Sequence, residues 1–405
     1  VYRIGSYIVL PGVDMDILMA GGSTKGGIMD ILNLFAGGAF SRASIFALGI
    51  MPYISASIIM QLMGIAVPSI QKMQNEGESG RKKINNYTRI LTIIICALQG
   101  PSYISFALGA TPGAIVSPTP LWWVSTTLIL IAGTMFVVWL GEKITDKGIG
   151  NGISLLIAVG IMANLPASFM QEFATKMGNL VIFIVEIVLL MVVVLVTVLL
   201  IRGVRKVPIN YAKQMVGARR MAEQSARNYL PLKVNASGVI PIIFAQAIMT
   251  LPMYIAQYSG TTALASFTNI QGFGYNAIFA ILIIIFTYFY TAIMVNPKKI
   301  ADDLKRNGGF IPGVKPGKNT ADFIDSLVSK ITLPGSVFLA IIAILPAFAM
   351  MLGITQGFAM FYGGTSLLIM VGVVLDTLQQ IESYLLNRHY DGLMEGGKLR
   401  GRGEM

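Results

Sequence analysis

The sequence offers few side chains that could carry out catalysis or hold a metal ion. It contains one cysteine, Cys96, inside an apolar run, and one histidine, His389. Single residues of these types exclude a disulfide framework and a cysteine metal site, and they nearly exclude histidine-based catalysis. Residues 21–27, GGSTKGG, contain the glycines and lysine of a phosphate-binding loop in the wrong order, and no strand precedes them. We therefore expect no nucleotide site, and only carboxylates remain as candidate ligands.

The carboxylates within the apolar runs are also few. Carriers that are coupled to protons or sodium usually bury a relay of acids near the membrane midplane. Here Glu186 and Asp376 lie toward the ends of their runs, where a side chain can reach the interface. Unwound backbone carbonyls could still bind sodium. We expect no cofactor, no metal and no catalytic residue, so the energy for any transport must come from a partner or a gradient.

The composition is that of a membrane protein with many spans. Of the 405 residues 55% are hydrophobic and 12% are charged, whereas a globular chain has about 25% charged residues. Residues 4–10 are apolar but too short to span, so we expect them to be the tail of a first span that starts before this numbering, not a signal peptide. Nine further apolar runs predict complete spans, at residues 53–71, 89–109, 121–141, 149–165, 179–201, 235–257, 276–296, 331–352 and 363–386.

Positive charge predicts the orientation of these spans. Every second connection is rich in Lys and Arg, and five connections hold five, two, eight, seven and four of the 30, at residues 72–89, 142–150, 202–233, 297–330 and 387–405. Loops with such an excess stay in the cytoplasm. The sequence therefore predicts a cytoplasmic C-terminus and places Arg42 on the outer side of the membrane.

Ten spans divide at one outer connection into two groups of five. An odd number of spans in each half makes the halves inverted relative to each other, a common plan for transport proteins. We predict an N-terminal half at residues 1–165, an outer hinge at 166–178, a C-terminal half at 179–386 and a cytoplasmic tail at 387–405. A pathway would lie between the halves.

Residues 37–68 predict irregular backbone at membrane depth. Gly49 and Pro52 interrupt the apolar run, because proline removes a helix hydrogen bond. Residues 40–50 would form a half-helix about 16 Å long, too short for a hydrocarbon core of ~30 Å, and they include the charged Arg42. Such a segment survives only inside protein or a water-filled cavity. We predict a segment folded back into a cavity that the span at 53–71 lines; an ordinary kinked helix after a loop is the alternative.

Two cytoplasmic connections, 202–233 and 297–330, are basic and each exceeds 30 residues, far more than a helix connection needs. The second contains GGFIPGVKPG, a stretch rich in turn formers. Such loops suit a large anionic partner or anionic lipid. Positive-inside topology alone would also explain their charge, but their length favours docking.

Six motifs, spread in order along nearly the whole chain, carry a family resemblance. They are GGAFSRASIFALGIMPYISASIIMQL, NEGESGRKKINNYTR, WLGEKITDKGIGNGIS, LPLKVNASGVIP, FYTAIMVNPKKIADDLKRNGGFIPGVKPG and FYGGTSLLI. Together they closely resemble the SecY family of protein-translocating channels. The resemblance implies an all-α polytopic membrane protein, a ten-span bundle of two inverted five-helix halves around a central pore, with a re-entrant plug helix. It also implies a passive channel that moves unfolded secretory proteins across the membrane and releases transmembrane segments sideways into lipid.

The resemblance further implies a plug and a ring at the waist of the pore. The plug that closes the outer funnel falls on Phe40, Ser41, Arg42, Ala43, Ser44, Ile45, Phe46, Ala47, Leu48, Gly49 and Ile50. The ring of apolar side chains falls on Ile54, Ile58, Ile153, Ile157, Ile243 and Ile369. A narrow apolar ring dewets and resists ions, while a translocating chain can push it open. Taken one at a time, each isoleucine would be ordinary core or lipid-facing.

The same resemblance implies partners and a bacterial inner membrane. A lateral gate would open between two pairs of spans, 53–71 with 89–109 and 235–257 with 276–296, and signal sequences would leave through it. The partners would be small SecE-type and SecG-type membrane subunits, a SecA-type motor ATPase, the ribosome through its RNA phosphates, nascent chains and anionic lipids. The docking residues would be Arg202, Arg205, Lys206, Lys213, Lys298, Lys299, Lys305, Arg306 and Lys315.

The sequence departs from the family pattern at two places. Many members have arginine where this chain has Lys315, and lysine lacks the bidentate fork of arginine. Residues 217–229 also differ from the expected pattern, so partner choice stays open. Two other functions stay open as well. A solute carrier with inverted repeats would need a polar midplane site, and an assembly scaffold without a pore would show no change in ion leak when residues 41–50 are replaced.

Overall fold

The computed structural model describes residues 1–20, 33, 36–105, 113, 115, 119–211, 228–246, 248–249 and 272–396. These residues are helical apart from three short strands and their connections. The helices are α1 (Tyr2–Gly5), α2 (Met15–Ala20), α3 (Met51–Ala66), α4 (Pro68–Asn75), α5 (Glu78–Tyr103), α6 (Pro120–Lys147), α7 (Gly152–Thr175), α8 (Leu180–Arg202), α9 (Phe273–Met294), α10 (Pro297–Arg306), α11 (Lys318–Met351), α12 (Gln356–Ala359) and α13 (Gly364–Gly396), and residues 240–246 are helical too. The strands are β1 (Val204–Tyr211), β2 (Asn228–Lys233) and β3 (Gly309–Phe310).

Six helices of the described part are long and apolar enough to cross a membrane, namely α6, α7, α8, α9 together with α10, α11 and Gly364–Leu386 of α13. Each covers a predicted span, and a helix suits lipid because it satisfies its own backbone polar groups. The pair α3 and α4 would make a seventh, bent by 104° where the chain turns between them. The predicted span at 89–109 is helical over all of its described residues, 89–105. Residues 247 and 250–257 of the span at 235–257 lie outside the described residues.

The chain divides into two compact units, one of Val1–Met170 with Ile369–Met405 and the other of Gln171–Leu368. In the first unit, α3, α5 and α6 pack side by side. In the second unit, α9 packs along α11. Helix α7 continues through most of the predicted hinge at 166–178, with Pro166 inside it. The division into inverted halves stays a prediction.

The predicted half-helix at residues 40–50 is wrong, because residues 36–50 form a series of turns. Gly37, Gly38 and Gly49 have positive φ angles of 64°, 85° and 56°, and Ala43 has one of 47°. A residue in this left-handed region cannot continue a right-handed helix, so no helical run can grow between them. The next helix begins at Met51, and its proline lies in the first turn, where a missing N–H costs nothing.

The two long connections that the sequence predicts to be cytoplasmic, 202–233 and 297–330, contribute the strands of one small sheet, which the sequence analysis missed. Strand β1 lies in the middle, antiparallel to β2 on one side and to β3 on the other. Helix α10 and the start of α11 cover one face of the sheet, and the buried residues there are Val207, Ile209, Leu232, Leu304, Ile311 and Ile324. The two connections therefore make one folded subdomain with its own core, which we call the cytoplasmic subdomain after the location that the sequence predicts for it.

Candidate functional site

Residues 40–50, which we call the plug segment after the role that the sequence predicts for them, are joined to residues 1–10, the N-terminal stretch, by two backbone hydrogen bonds. The Leu10 N–H donates to the Ala43 carbonyl at 2.8 Å, and the Ile45 N–H donates to the Ile8 carbonyl at 3.0 Å. Turns leave many backbone groups unpaired, and an unpaired group buried away from water is costly. The N-terminal stretch thus supplies partners that a helix would have supplied itself.

Between these two bonds, Val9 and Ser44 lie opposite each other as an antiparallel bridge. Ser44 is fully buried, and its hydroxyl oxygen accepts a hydrogen bond from the Phe46 N–H at 3.3 Å. The serine that lipid would not accommodate is therefore partnered inside the protein.

The start of the chain also holds the residues that lead into the plug segment. An Nη1–H of Arg3 donates to the Gly37 carbonyl at 2.6 Å, and the Tyr2 hydroxyl donates to the Ala36 carbonyl at 3.3 Å. Two side chains of α1 thus fix the entry to the plug segment.

Phe46 fills the centre of this arrangement and is 4% exposed. Its ring stacks between those of Tyr2 and Phe136, with centroid distances of 6.1 Å and 5.9 Å. A Cβ atom at Gly5 would lie 2.1 Å from the Phe46 ring, closer than any real contact. Glycine at position 5, which has no Cβ atom, therefore leaves the room that the Phe46 ring needs.

Helices α5 and α6 complete the surroundings of the plug segment. The Tyr103 hydroxyl of α5 donates to the Phe40 carbonyl at 2.8 Å, and the two rings meet edge to face. On α6, a Cβ atom at Gly133 would lie 2.1 Å from the Ile45 carbonyl oxygen, so the helix and the plug backbone are in direct contact. We call these surroundings, the stretch 1–10 with α5 and α6, the plug cradle.

Arg42 is the one charged residue of the plug segment. Its guanidinium lies over the Tyr7 ring, 4.2 Å from the centroid, as in a cation–π contact. Its Nη1 atom is buried and has no hydrogen-bond partner among the described residues. The charge is thus stabilised by an aromatic face of the N-terminal stretch.

The sequence analysis expected the span at 53–71 to line the cavity, and it missed the contribution of the plug cradle. No periodicity marks residues 1–10, and their role follows from backbone pairing. A signal was available at Gly133, because a glycine inside an apolar helix can allow another backbone to approach closely.

The predicted ring residues lie on four helical segments. Ile54 and Ile58 are one turn apart on α3, and Ile153 and Ile157 are one turn apart on α7, so each pair shares a helix face. Asn151 begins α7 by accepting a hydrogen bond from the Ile153 N–H at 3.1 Å. Ile369 lies on α13.

All six ring residues are buried or half-buried. Five lie in the first compact unit, and Ile243, in the helical residues 240–246, lies in the second. The ring as a whole therefore stays a prediction.

The predicted docking residues come together in the cytoplasmic subdomain or at its edge. Arg202 ends α8, Arg205 and Lys206 lie on β1, and Lys315 follows β3. Helix α10 carries the others, which are Lys298, Lys299, Lys305 and Arg306. All of these side chains are exposed. Lys213, and most of the divergent stretch 217–229, lie outside the described residues.

Glu186 is buried rather than turned to the interface. Its carboxylate pairs with Lys176 at 3.2 Å, and the Lys176 ammonium also donates to the Gly353 carbonyl at 3.0 Å. Beside it lies Glu172, fully buried, which accepts hydrogen bonds from the N–H and hydroxyl of Thr355. The cluster ties α7, α8 and the turn before α12 together, so its observed role is structural, and the sequence analysis missed Glu172.

Solved structures with the same fold define the class of protein. A protein-conducting channel matches with a TM-score of 0.65 and 18% identity, covering 98% of this chain and 92% of that one. Canine Sec61, in a ribosome–channel complex from the endoplasmic reticulum, matches with a TM-score of 0.62, 18% identity and the same coverage. A SecY structure whose plug domain is described as stabilising the closed state matches with a TM-score of 0.59 and 20% identity, covering 98% and 92%. The all-helical polytopic channel fold is thereby confirmed.

Sequence comparisons give the family. The SecY family pattern matches residues 44–378. The protein translocase subunit SecY of Thermotoga maritima is 40% identical over 99% of this chain and 94% of its own length. That of Escherichia coli K12 is 40% identical over 100% of this chain and 93% of its own length. The chain belongs to the SecY family, so it is a multi-pass protein-conducting channel subunit of the Sec translocon and not an enzyme.

Proposed function

We propose that residues 40–50 close the channel on its outer side and leave the plug cradle when a protein passes. The observation that carries this proposal is the burial of a segment of turns by contacts made outside its own backbone. A membrane helix pairs nearly all of its backbone groups within itself, whereas this segment has only the short-range bonds of its turns and adds contacts with residues 1–10, α5 and α6. Contacts of that kind break without unfolding a membrane helix.

The contacts of the plug cradle are of a strength that suits a gate. A hydrogen bond between protein groups contributes about 0.5–1.5 kcal/mol net, and an aromatic pair contributes about as much beyond its buried area. Five hydrogen bonds and three ring pairs join residues 36–50 to the plug cradle. A translocating chain that is pushed by a partner can displace such a segment, and the segment can return afterwards.

The six isoleucines would form a second barrier at the waist of the pore. A ring of apolar side chains excludes water when empty and yields to a chain. In this proposal signal sequences and apolar segments leave sideways, because about 20 apolar residues favour hydrocarbon over water. The channel would work in a bacterial inner membrane with its C-terminus in the cytoplasm.

The cytoplasmic subdomain would dock the partner that drives transport. A ribosome-bound complex is described for canine Sec61, and ribosomal RNA phosphates attract exposed Lys and Arg. Eight of the nine predicted docking residues are exposed in or beside one folded subdomain, so a partner would meet them together. A SecA-type motor ATPase would use the same surface, with SecE-type and SecG-type subunits beside the channel and anionic lipids around it.

Ion conductance in planar bilayers tests the plug. The purified intact chain is compared with a variant that lacks residues 40–50, after circular dichroism has shown equal helix content. We expect the intact chain to be silent and the deletion to conduct. Silence of both proteins across salts and voltages would overturn the plug assignment.

A further inference from the structure

The outer face of the sheet in the cytoplasmic subdomain carries exposed aromatic rings and lysines. We propose that this face binds RNA by stacking unpaired bases on Tyr229 and Phe310, with Lys206 and Lys233 holding the backbone phosphates. The inference rests on the proposed docking of a ribosome at this subdomain, and it names which part of the partner the sheet contacts.

The register of the strands decides which residues share this face. Side chains alternate along a strand, and Val207 and Ile209 of β1 are buried in the core of the subdomain. The residues between and beside them, Lys206, Pro208 and Asn210, therefore point outward. All three are exposed.

The neighbouring strands add the aromatic rings to the same face. Tyr229 of β2 is opposite Pro208, and Phe310 of β3 is opposite Asn210. Residues opposite one another in a ladder point to the same side of the sheet. Lys233, opposite Val204, joins them there.

The rings are open to solvent, whereas the other face of the sheet is packed. Tyr229 is 44% exposed and Phe310 is 38% exposed, while Val207 and Ile209 are each 5% exposed. Their rings therefore add no packing to the core of the subdomain. The Tyr229 and Phe310 rings are therefore accessible for stacking by planar groups of a partner.

The spacing suits two bases, one on each ring. The rings lie on the two strands that flank β1 and are offset by two residues along it, which puts them about 12 Å apart. Asn210 lies on the strand between them and offers an amide donor and acceptor to a base edge. Each ring would take one base, because a base–aromatic stack needs only the flat face that every base has.

The charges on the face favour RNA over a protein partner. The outward residues described above include two lysines and no carboxylate. Apart from the two rings, the outward residues offer a peptide only Val204 and two prolines, Pro208 and Pro231. Lysines beside stacking rings are the combination that single-stranded nucleic acid requires.

The test compares three variants of the full chain in nanodiscs, with its small subunits, for binding to ribosomes. The first removes both rings (Tyr229→Ser with Phe310→Ser), the second keeps the ring (Tyr229→Phe), and the third removes charge on α10 (Lys298→Gln with Lys299→Gln). We expect the first to weaken binding about tenfold or more, the second to leave it unchanged, and the third to weaken it at low salt. Equal thermal unfolding of all variants shows that the sheet is intact.

A photo-crosslinking phenylalanine analogue at position 229 or 310 identifies what the face touches. Crosslinks to ribosomal RNA would support the inference. Crosslinks to protein alone, or unchanged affinity of the double ring variant, would overturn it. If the α10 lysines matter and the rings do not, the docking proposal survives without base stacking; if no variant changes binding, both proposals fall.

Discussion

The plug segment and the cytoplasmic sheet are both non-helical insertions between helices, and they are stabilised in opposite ways. The plug segment is largely enclosed, and two of its backbone groups, the Ala43 carbonyl and the Ile45 N–H, pair with residues 10 and 8, more than 30 positions earlier in the sequence. The sheet has one buried face and one exposed face, and its strands pair their backbone groups with one another. Backbone groups that are exposed at the surface can hydrogen-bond to water. The comparison shows that a buried stretch of turns takes hydrogen-bond partners from elsewhere in the protein, whereas strands that pair with one another need only a small core.

The largest effect on ion conductance should come from filling the space on α6 that the plug backbone occupies. Gly133→Ala would put a methyl group 2.1 Å from the Ile45 carbonyl oxygen, and neither backbone can yield cheaply. We expect the plug segment to leave its cradle and ion conductance to rise at least about tenfold, the effect of 1.4 kcal/mol.

Gly372→Ala is the matched control for this change, because a Cβ atom at Gly372 meets nothing within 4 Å. It makes the same chemical change on a membrane helix and should leave the channel silent. If the Gly133→Ala channel is silent and the plug segment still crosslinks to its cradle, the contact between α6 and the Ile45 carbonyl is less tight than the 2.1 Å approach indicates.

A substitution in the core of the sheet should change local stability and not ion conductance. Ile209→Ala removes a buried side chain and should cost about 2–5 kcal/mol of local stability. We expect hydrogen exchange to speed up in β1 and β2 and partner docking to weaken, while the channel stays silent. Val204→Ala, at an exposed position of the same strand, should change neither quantity. An ion leak from Ile209→Ala would contradict the independence of the two regions.

A smaller effect is expected from a single contact of the plug cradle. Tyr103→Phe keeps the ring and removes the hydroxyl that donates to the Phe40 carbonyl. The loss of about 0.5–1.5 kcal/mol should raise spontaneous openings by about two- to tenfold in single-channel records. Tyr288→Phe, at a more exposed tyrosine of α9, should leave the records unchanged. Identical records for both variants would show that this bond does not hold the closed state.

The smallest effect should come from the exposed tip of the cytoplasmic subdomain. Lys315→Arg restores a bidentate fork at a solvent-exposed position. We expect ribosome affinity to rise by a few-fold at low salt and the gain to shrink as salt is added, because exposed charges are screened. A loss of affinity would mean that the lysine contact is specific.

Much of the fold could be predicted from the sequence because lipid imposes simple rules. Runs of about 20 apolar residues became helices, and the interruption at Gly49 and Pro52 did separate two kinds of backbone. The conformation of residues 36–50 could not be predicted, since an apolar run with small residues suits a helix as well as turns. The positive φ angles at Gly37, Gly38 and Ala43 break the helix into turns, and these angles depend on tertiary contacts.

The candidate site was predictable in part, through residue types and not through contacts. The alternation of Val207 with Ile209 and of Leu230 with Leu232 is the signal of a half-buried strand, which the emphasis on turn formers obscured. The N-terminal stretch gave no signal, because backbone pairing leaves no mark on side-chain type. Glu172 and its links to Thr355 likewise depend on residues 183 positions apart.

The most direct test of the account locks the plug segment in its cradle. Val9 and Ser44 face each other between two backbone bonds, in the kind of antiparallel pair whose Cα atoms are about 4.5 Å apart, which a disulfide can bridge. Val9→Cys with Ser44→Cys is assembled in proteoliposomes with the SecE-type and SecG-type subunits and the SecA-type motor ATPase proposed above. Transport of a secretory precursor is measured before and after reduction, with each single cysteine as control. The account predicts transport that stops on oxidation and returns on reduction. Transport at full rate through the oxidised double variant would contradict it, because the plug segment would then never need to leave the N-terminal stretch.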